Sequence, residues 1–347
     1  MKSISICFAL SLLTSLANAG LTAAERTQTI DALCKEMQAR YVVKVKAEEV
    51  SKLLQSNLKR GVYDKIEDGK QFAQALSVDI NGICKDAHLK VRFREAALPL
   101  RKDSGEPSPE EIAEEAKFTK LINAGFEEVR RLQGNVGYIR FNGFFDPTEA
   151  ARPIRAAMAF VENTDALIFD IRENGGGDPE TVRQICSYLF DKETHLNSLL
   201  FREGDKTVTT DFKTQPVEGK KYLNKPIYVL VSKRTGSGAE EFAYNLQTQK
   251  RATILGESTW GGANPGGMVR LNDHFSAFIP VGMAKNPITG TNWEGTGVTP
   301  DVKVLPADSL ALAQRMAVEK LLENAKGADK ERLQSVLKEL SGKVRNF

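Results

Sequence analysis

Two apolar runs, each followed by a glycine-containing turn and a helical pattern, constrain the fold of this chain most strongly. The first runs from Ala166 to Ile171 and leads through Arg172-Glu-Asn-Gly-Gly-Gly-Asp178 into Pro179. The second runs from Pro226 to Val231 and leads through Ser232-Lys-Arg-Thr-Gly-Ser-Gly-Ala-Glu-Glu241 into an apolar helix. Short apolar runs between turn residues and helices are typical of buried strands. The pattern predicts an α/β core with crossover connections.

The same alternation of strands and helices extends over residues 135–306, which we take as the core. Further strands are predicted at Val136–Phe141, Ala252–Leu255, Met268–Leu271 and Phe275–Ile279, and helices at Pro147–Val161, Pro179–Leu189 and Ala239–Leu246. Two amphipathic helices, Asp308–Asn324 and Ala328–Leu340, are expected in a C-terminal segment, 307–347.

The N-terminal part of the chain has a purely helical pattern. Thr22 and Glu25 form a capping box before apolar positions that continue to Tyr41, and similar patterns follow at 46–58 and 68–83. Residues 20–100 are therefore predicted to form a helical domain that leads into the first core strand. Residues 101–134 are expected to be a charged connector, flexible over Arg101–Lys117, where prolines and acids replace large apolar groups.

The first 19 residues resemble an export signal. Lys2 precedes the apolar stretch Ile4–Leu16, and Ala17-Asn18-Ala19 offers small residues for cleavage before Gly20. This stretch is too short to span a bilayer, and no later window reaches the ~20 apolar residues that a membrane span needs. We expect export to the periplasm or the medium, without a membrane span.

Composition excludes several classes of function. Hydrophobic residues at 41% and charged residues at 27% of 347 are typical of a globular protein large enough for two domains. The net charge of +3 comes from scattered residues, so nucleic-acid binding is not indicated. No Cys/His spacing indicates a metal, and no cofactor is predicted.

Three cysteines remain after the signal: Cys34, Cys84 and Cys186. An odd count leaves at least one thiol unpaired in an oxidising compartment. Cys34 and Cys84 both lie in the helical region, where a disulfide and a shared position in the apolar core are both compatible with the pattern.

Ser237 is the candidate nucleophile. It lies between two glycines at a predicted helix start, where free N–H groups and the helix dipole favour an anionic neighbour. Ser237 and Glu240 also match a capping box, so a purely structural role as a helix cap remains open. The glycines at 175–177 either expose N–H groups to a developing negative charge or form an ordinary turn.

A serine nucleophile needs a base, and the chain has three histidines: His88, His195 and His274. His88 follows the third helix, His195 lies in a polar connection, and His274 lies in a turn. Glu294, in a loop rich in Gly, Pro, Asn and Thr, could orient an imidazole or be a solvated loop acid. Residue patterns alone leave these alternatives open.

Five segments, in order, resemble the superfamily of C-terminal processing (tail-specific) peptidases, the tricorn protease core and the interphotoreceptor retinoid-binding protein repeats. They are Asp86-Ala-His88, Leu167-Ile-Phe-Asp-Ile-Arg-Glu-Asn-Gly-Gly-Gly177, Thr235-Gly-Ser-Gly-Ala-Glu240, Leu255-Gly-Glu-Ser-Thr-Trp-Gly-Gly262 and Asn292-Trp-Glu-Gly-Thr-Gly-Val-Thr-Pro-Asp301. The resemblance implies a crotonase-like core of stacked ββα units (ClpP/crotonase type) behind a helical domain.

The resemblance also discriminates between two active sites of that superfamily. Processing peptidases use a lysine in a Thr-x-Gly-Lys-Gly turn, but Thr259-Trp-Gly-Gly262 has none. The tricorn-like and retinoid-binding-like branch uses a histidine and a late glutamate, which correspond to His88 and Glu294. This chain departs from the tricorn pattern at Ala87, where a serine would bridge the two, and residues 90–135 are too short and charged for a PDZ domain.

The resemblance thus implies an exported serine peptidase that acts on peptides or proteins. Ser237, His88 and Glu294 would be catalytic, with the backbone N–H groups of Gly238, Gly176 and Gly177 as the oxyanion hole. Trp260 and Trp293 are candidates for lining the substrate cleft. A serine esterase and a non-catalytic retinoid- or lipid-binding protein are the alternatives, and the oligomeric state is not indicated.

Overall fold

The computed structural model describes residues 20–98 and 108–341, so the predicted export signal lies outside the described residues. Its helices are α1 (Ala23–Arg40), α2 (Lys44–Lys59), α3 (Gly69–Cys84), α4 (Pro109–Leu121), α5 (Pro147–Val161), α6 (Pro179–Ser187), α7 (Gly238–Thr248), α8 (Pro306–Leu322) and α9 (Gly327–Ser341). Its strands are β1 (Lys90–Phe93), β2 (Phe126–Leu132), β3 (Val136–Phe141), β4 (Ala166–Asp170), β5 (His195–Glu203), β6 (Lys206–Lys213), β7 (Ile227–Val231), β8 (Thr253–Gly256), β9 (Gly266–Arg270), β10 (Phe275–Pro280), β11 (Gly282–Lys285) and β12 (Val302–Lys303).

The N-terminal helical domain forms as predicted. The Thr22 and Glu25 capping box starts α1, and Asp68 caps α3 by accepting a hydrogen bond from the Gln71 N–H. The apolar faces of α1–α3 share one core with β1 and β10. Cys34 and Cys84 are buried in this core as free thiols, so they are apolar core residues without a disulfide.

The central sheet has six strands in the order β12-β8-β7-β4-β3-β2. Strands β3, β4, β7, β8 and β12 are parallel, and β2 pairs antiparallel with β3. All residues of β4 and β7 are buried, as expected for parallel strands covered on both faces. The mixed α/β architecture confirms the predicted fold class.

Two three-stranded antiparallel sheets complete the core, in the orders β1-β10-β9 and β11-β5-β6. Sequence patterns missed β5 and β6. Residues 206–211 of β6 are all exposed, so this strand lacks the apolar alternation that marks a half-buried strand. His195, expected in a polar connection, begins β5.

The prediction of a charged connector at 101–134 is wrong over its described part. Helix α4 begins with the Ser108–Glu111 capping box and Pro109, and β2 joins the central sheet. Of the α4 residues only Thr119 is buried, so the helix has no apolar stripe for the sequence to reveal.

Helices α8 and α9 cover one face of the central sheet and share a core with β4 and β7. Within the described ranges, no helix is long and apolar enough to cross a membrane.

Candidate active site

The order of the central sheet brings the two glycine-containing turns together. Strands β4 and β7 are parallel neighbours, so their carboxyl ends lie side by side and both turns leave from the same edge. The Gly236 N–H donates to the Asn174 carbonyl (3.1 Å). A methyl group added to Gly176 would lie 2.6 Å from the Gly238 nitrogen, so only glycine permits this approach.

Ser237 has an unusual backbone conformation for a helix cap. Its φ of 50° and ψ of −121° lie outside the extended region that N-cap residues normally adopt. A non-glycine residue with positive φ is strained, and such strain concentrates at functional sites. The side chain is half-buried at the start of α7. Glu240 closes a capping box with Ser237, as the sequence pattern also allowed, so it is the strained backbone that sets Ser237 apart from an ordinary helix cap.

Glu240 holds the Ser237 turn against the Thr259–Gly262 turn. Its buried carboxylate accepts hydrogen bonds from the N–H groups of Ser237 (2.8 Å), Gly261 (2.6 Å) and Gly262 (2.9 Å) and from the Thr259 hydroxyl. Burial raises the pKa of Glu240, although these donors oppose the shift. Because Ser237 and Gly262 donate to the same oxygen, their backbones lie only a few ångströms apart.

Two of the three predicted oxyanion-hole donors are free. Among the described residues, the N–H groups of Gly177 and Gly238 meet no acceptor. The Gly176 N–H instead donates to Oδ1 of Asn174 (2.9 Å), so the prediction for Gly176 is wrong. The N–H groups of Gly177 and Gly238 therefore remain available as hydrogen-bond donors.

His88 lies beside Gly262, in the loop between α3 and β1. A methyl group added to Gly262 would lie 2.5 Å from His88 Cε1. The imidazole packs edge-on against Trp260, with ring centroids 4.7 Å apart, and stacks on Phe278 at 5.3 Å. Burial lowers the pKa of His88, with Lys90 adding to the effect and Asp86 opposing it. The neutral imidazole, which can accept a proton, is therefore favoured near pH 7.

Glu294 contacts the His88 loop through its backbone. Its Oε1 accepts from the Ala87 N–H (2.8 Å), and its Oε2 accepts from the N–H groups of Ala263 (2.6 Å) and Asn264 (3.2 Å). Burial and the nearby Asp86 raise the pKa of Glu294, against the effect of these donors. The carboxylate thus ties the His88 loop to the turn that carries Gly262.

Asp86 completes this group. It is buried and accepts from the His88 N–H (3.1 Å), Tyr41 Oη (3.2 Å) and Asn264 Nδ2 (2.8 Å). One donor atom each from Asp86, His88 and Glu294 lies within 4.8 Å of the others, a set that could hold a metal ion. His88 Nδ1 is buried and has no partner among the described residues. The sequence indicated Glu240 only as a capping partner of Ser237 and Asp86 only as part of the Asp86-Ala-His88 segment, and neither was predicted as a site residue.

The two tryptophans differ in position. Trp260 is 40% exposed and contacts His88, consistent with a cleft residue. Trp293 is 2% exposed and donates its Nε1–H to the Gly262 carbonyl (2.9 Å). The cleft prediction for Trp293 is therefore wrong, because this side chain is buried and binds the backbone of the turn that carries Gly262. His195 and His274 lie elsewhere, against Asp211 and the Arg94 carbonyl.

Comparisons with known proteins agree with this fold. The sequence model of Peptidase family S41 matches residues 135–304, and that of the "N-terminal domain of Peptidase_S41 in eukaryotic IRBP" matches residues 21–128. The chain is 31% identical over 186 residues to the chloroplastic C-terminal processing peptidase of Tetradesmus obliquus, covering 50% of this chain and 37% of that protein. It is 27% identical over 186 residues to the carboxy-terminal-processing protease of Bartonella bacilliformis, covering 50% and 40%.

The fold resembles the crystal structure of mature CPAF, with a TM-score of 0.59 and 14% identity, covering 90% of this chain and 98% of that one. One sequence model matches the α/β core and the other matches the N-terminal helical domain, which fits the tail-specific protease superfamily. The chain belongs to Peptidase family S41. It spans well under half the length of the two curated relatives.

Proposed function

We propose that this protein is an exported serine peptidase that cleaves peptide bonds through an acyl-enzyme on Ser237. The observation that carries the proposal is the chain of contacts from Ser237 through the Glu240 carboxylate to Gly262 and the His88 ring. Membership in a peptidase family supports the reaction class. We divide the chain into a helical domain at 20–100, a catalytic core at 135–306 and C-terminal helices at 307–347.

In the proposed reaction, His88 removes the proton from the Ser237 hydroxyl as the oxygen attacks the carbonyl carbon. The negative charge on the former carbonyl oxygen is stabilised by the N–H groups of Gly177 and Gly238, each worth about 3 kcal/mol. His88 then protonates the leaving amine, and water hydrolyses the ester in a second, similar cycle.

Glu294 and Asp86 act through the loop that carries His88. Glu294 accepts a hydrogen bond from the Ala87 N–H, and Asp86 accepts one from the His88 N–H. One oxygen of each carboxylate also lies within 4.8 Å of an imidazole nitrogen of His88, and the ring becomes positively charged during proton transfer. In the tricorn pattern a serine at position 87 would bridge the histidine and the glutamate. Ala87 has no hydroxyl to do so, and Glu294 and Asp86 take over this function through the loop.

Active-site labelling tests the proposal. A fluorophosphonate probe should add covalently to Ser237, as measured by intact mass, and Ser237→Ala and His88→Ala should abolish the adduct. Ser258→Ala and His274→Ala are matched controls, because Ser258 is exposed and His274 lies away from Gly262. These two variants should label at the rate of the parent.

A folded parent that remains unlabelled would contradict the catalytic assignment and favour a lipid-binding function on the same fold. If the parent labels but cleaves p-nitrophenyl esters and no peptide of a random library, the protein is an esterase. Export is tested separately, by detecting a product that begins near Gly20 outside the cytoplasm.

A further inference from the structure

One face of the β1-β10-β9 sheet carries a row of cationic and apolar side chains. The strand register places Lys90, Phe278 and Met268 side by side, and the next level on the same face holds Arg92, Ser276 and Arg270. The intervening residues Val91 and Ala277 point to the opposite face and are buried in the core of the helical domain.

This face is continuous with the candidate active site. Phe278 stacks on His88, and the Lys90 ammonium lies 5.6 Å from the centroid of the Trp260 ring. Two residues along a strand correspond to about 7 Å. The level of Arg92 and Arg270 therefore lies roughly 7 Å beyond the level at which Phe278 meets the imidazole.

The arginine level opens into a cavity of about 490 Å³. Its walls combine three arginines with apolar and small side chains: Arg92, Arg94, Arg270, Met268, Leu98 and Ser276. Within the described ranges no carboxylate forms an ion pair with Arg92 or Arg94. Arg270 contacts Asp273 through one terminal nitrogen, but its buried Nε has no hydrogen-bond partner.

One acid, Glu111, also lines the cavity. Its carboxylate accepts the Ser108 N–H (2.8 Å) as part of the capping box of α4. The three guanidinium groups thus outnumber the two carboxylates, those of Glu111 and Asp273. Planar guanidinium groups match carboxylates especially well.

The two edges of this sheet differ. The outer edge of β1 is covered by α3, because Ser77 Oγ accepts the Val91 N–H (2.9 Å) and Asn81 Nδ2 donates to the Leu89 carbonyl (2.9 Å). Strand β9 pairs with no described strand on its outer side. An extended peptide could pair with this free edge, which places alternate peptide side chains over the cationic face.

We propose that this face binds a carboxylate of the peptide substrate, held by Arg92 and Arg270, about two residues from the bond that is cleaved. The proposal rests on the proposed peptidase function and adds a substrate class to it. The carboxylate comes from an acidic side chain or from the C-terminus of the substrate, since both present the same group to a guanidinium.

Binding to the full mature Ser237→Ala protein tests the proposal without requiring catalysis. A set of fluorescein-labelled decapeptides places one Glu at each position in turn. Each peptide has a counterpart with Gln at that position and a counterpart with an amidated C-terminus. Fluorescence anisotropy gives the dissociation constants. We expect one carboxylate to tighten binding roughly tenfold over its neutral counterpart, as for a charge-assisted hydrogen bond.

Adding Arg92→Gln or Arg270→Gln should remove this preference and leave binding of the neutral peptides intact. Arg332→Gln, on the exposed side of α9, is the matched control and should keep the preference. A preference for one Glu position identifies an acidic side chain as the source, and a loss on amidation identifies the C-terminus.

Equal affinity for all charged and neutral pairs, or a preference that survives both arginine substitutions, would overturn the proposal. So would failure of every peptide to bind. Because these measurements use a protein without Ser237, their outcome is independent of the labelling result, which alone decides whether Ser237 is the nucleophile.

Discussion

Replacing Gly262 by alanine should displace the proposed base with little damage to the fold. The added Cβ would lie 2.5 Å from His88 Cε1 and would also collide with Trp260 Cζ3. Carbon atoms at optimal separation are about 3.5–4.0 Å apart, so the imidazole must retreat by roughly 1 Å. Both colliding atoms lie at the far ends of side chains, and Trp260 is 40% exposed, so the rings can move while the backbone stays.

The substitution should therefore slow the reaction in a protein that remains folded. Overpacking of this kind costs about 1–3 kcal/mol of unfolding free energy. A catalytic group misplaced by about 1 Å costs roughly 100-fold in rate. The second-order rate of fluorophosphonate labelling should fall by that factor in Gly262→Ala, while urea unfolding remains cooperative, with the unfolding free energy lowered by about 1–3 kcal/mol.

Gly82→Ala is the matched control for this experiment. Gly82 lies on α3, and a Cβ there would meet no atom within 4 Å. This variant should label at the parental rate and be slightly more stable, because alanine favours a helix. If Gly262→Ala remained folded and labelled within twofold of the parent, the position of His88 beside Gly262 would not control the reactivity of Ser237, and our mechanism would be refuted.

Four further predictions follow from buried groups. Glu240→Gln places an amide donor where three backbone N–H groups donate. Urea unfolding should therefore show a free energy of unfolding lowered by about 3 kcal/mol, and labelling should slow. An unchanged free energy of unfolding would contradict the hydrogen-bond network. Burial raises the pKa of Glu241 to about 7 from an ordinary 4.5, so the folded state binds its proton more tightly than the unfolded state. Stability should therefore fall by about 3 kcal/mol as pH rises from about 4.5 to about 7, and Glu241→Gln should flatten that slope in urea titrations at several pH values. Because burial lowers the pKa of His88, the labelling rate should stay constant as the pH falls to 6.5, the ordinary pKa of histidine, and should decrease only below it. A midpoint of the pH–rate profile above 6.5 would argue against His88 as the base. Dithiothreitol should leave the thermal midpoint unchanged, since Cys34 and Cys84 are free thiols, whereas a drop of several degrees would reveal a disulfide.

Local patterns in the sequence were sufficient for most of the secondary structure. The capping residues of α1 and α3 act within a few positions of the helices they start, so they are readable without tertiary context. Strands β4 and β7 carry their own signal, because burial on both faces demands an unbroken apolar run. Polar elements such as β6 and α4 carry no such pattern and were missed.

The composition of the site depends on contacts between distant segments. Sequence and resemblance selected Ser237, His88 and Glu294, but no local pattern shows that Glu294 binds the backbone of residue 87 instead of an imidazole. The same is true of Gly176, whose N–H is taken by Asn174, and of Trp293, which is buried under Gly262.

The sequence by itself therefore determined most of the strands and helices and which side chains can do chemistry, because those properties reside in short stretches of chain. Only the tertiary structure decided which of these groups meet. The parallel neighbours β4 and β7 bring the two glycine turns to one edge, and the buried Glu240 carboxylate joins the Ser237 turn to the turn beside His88. Such contacts follow from strand order and the packing of whole elements, which residues far apart in the chain specify together.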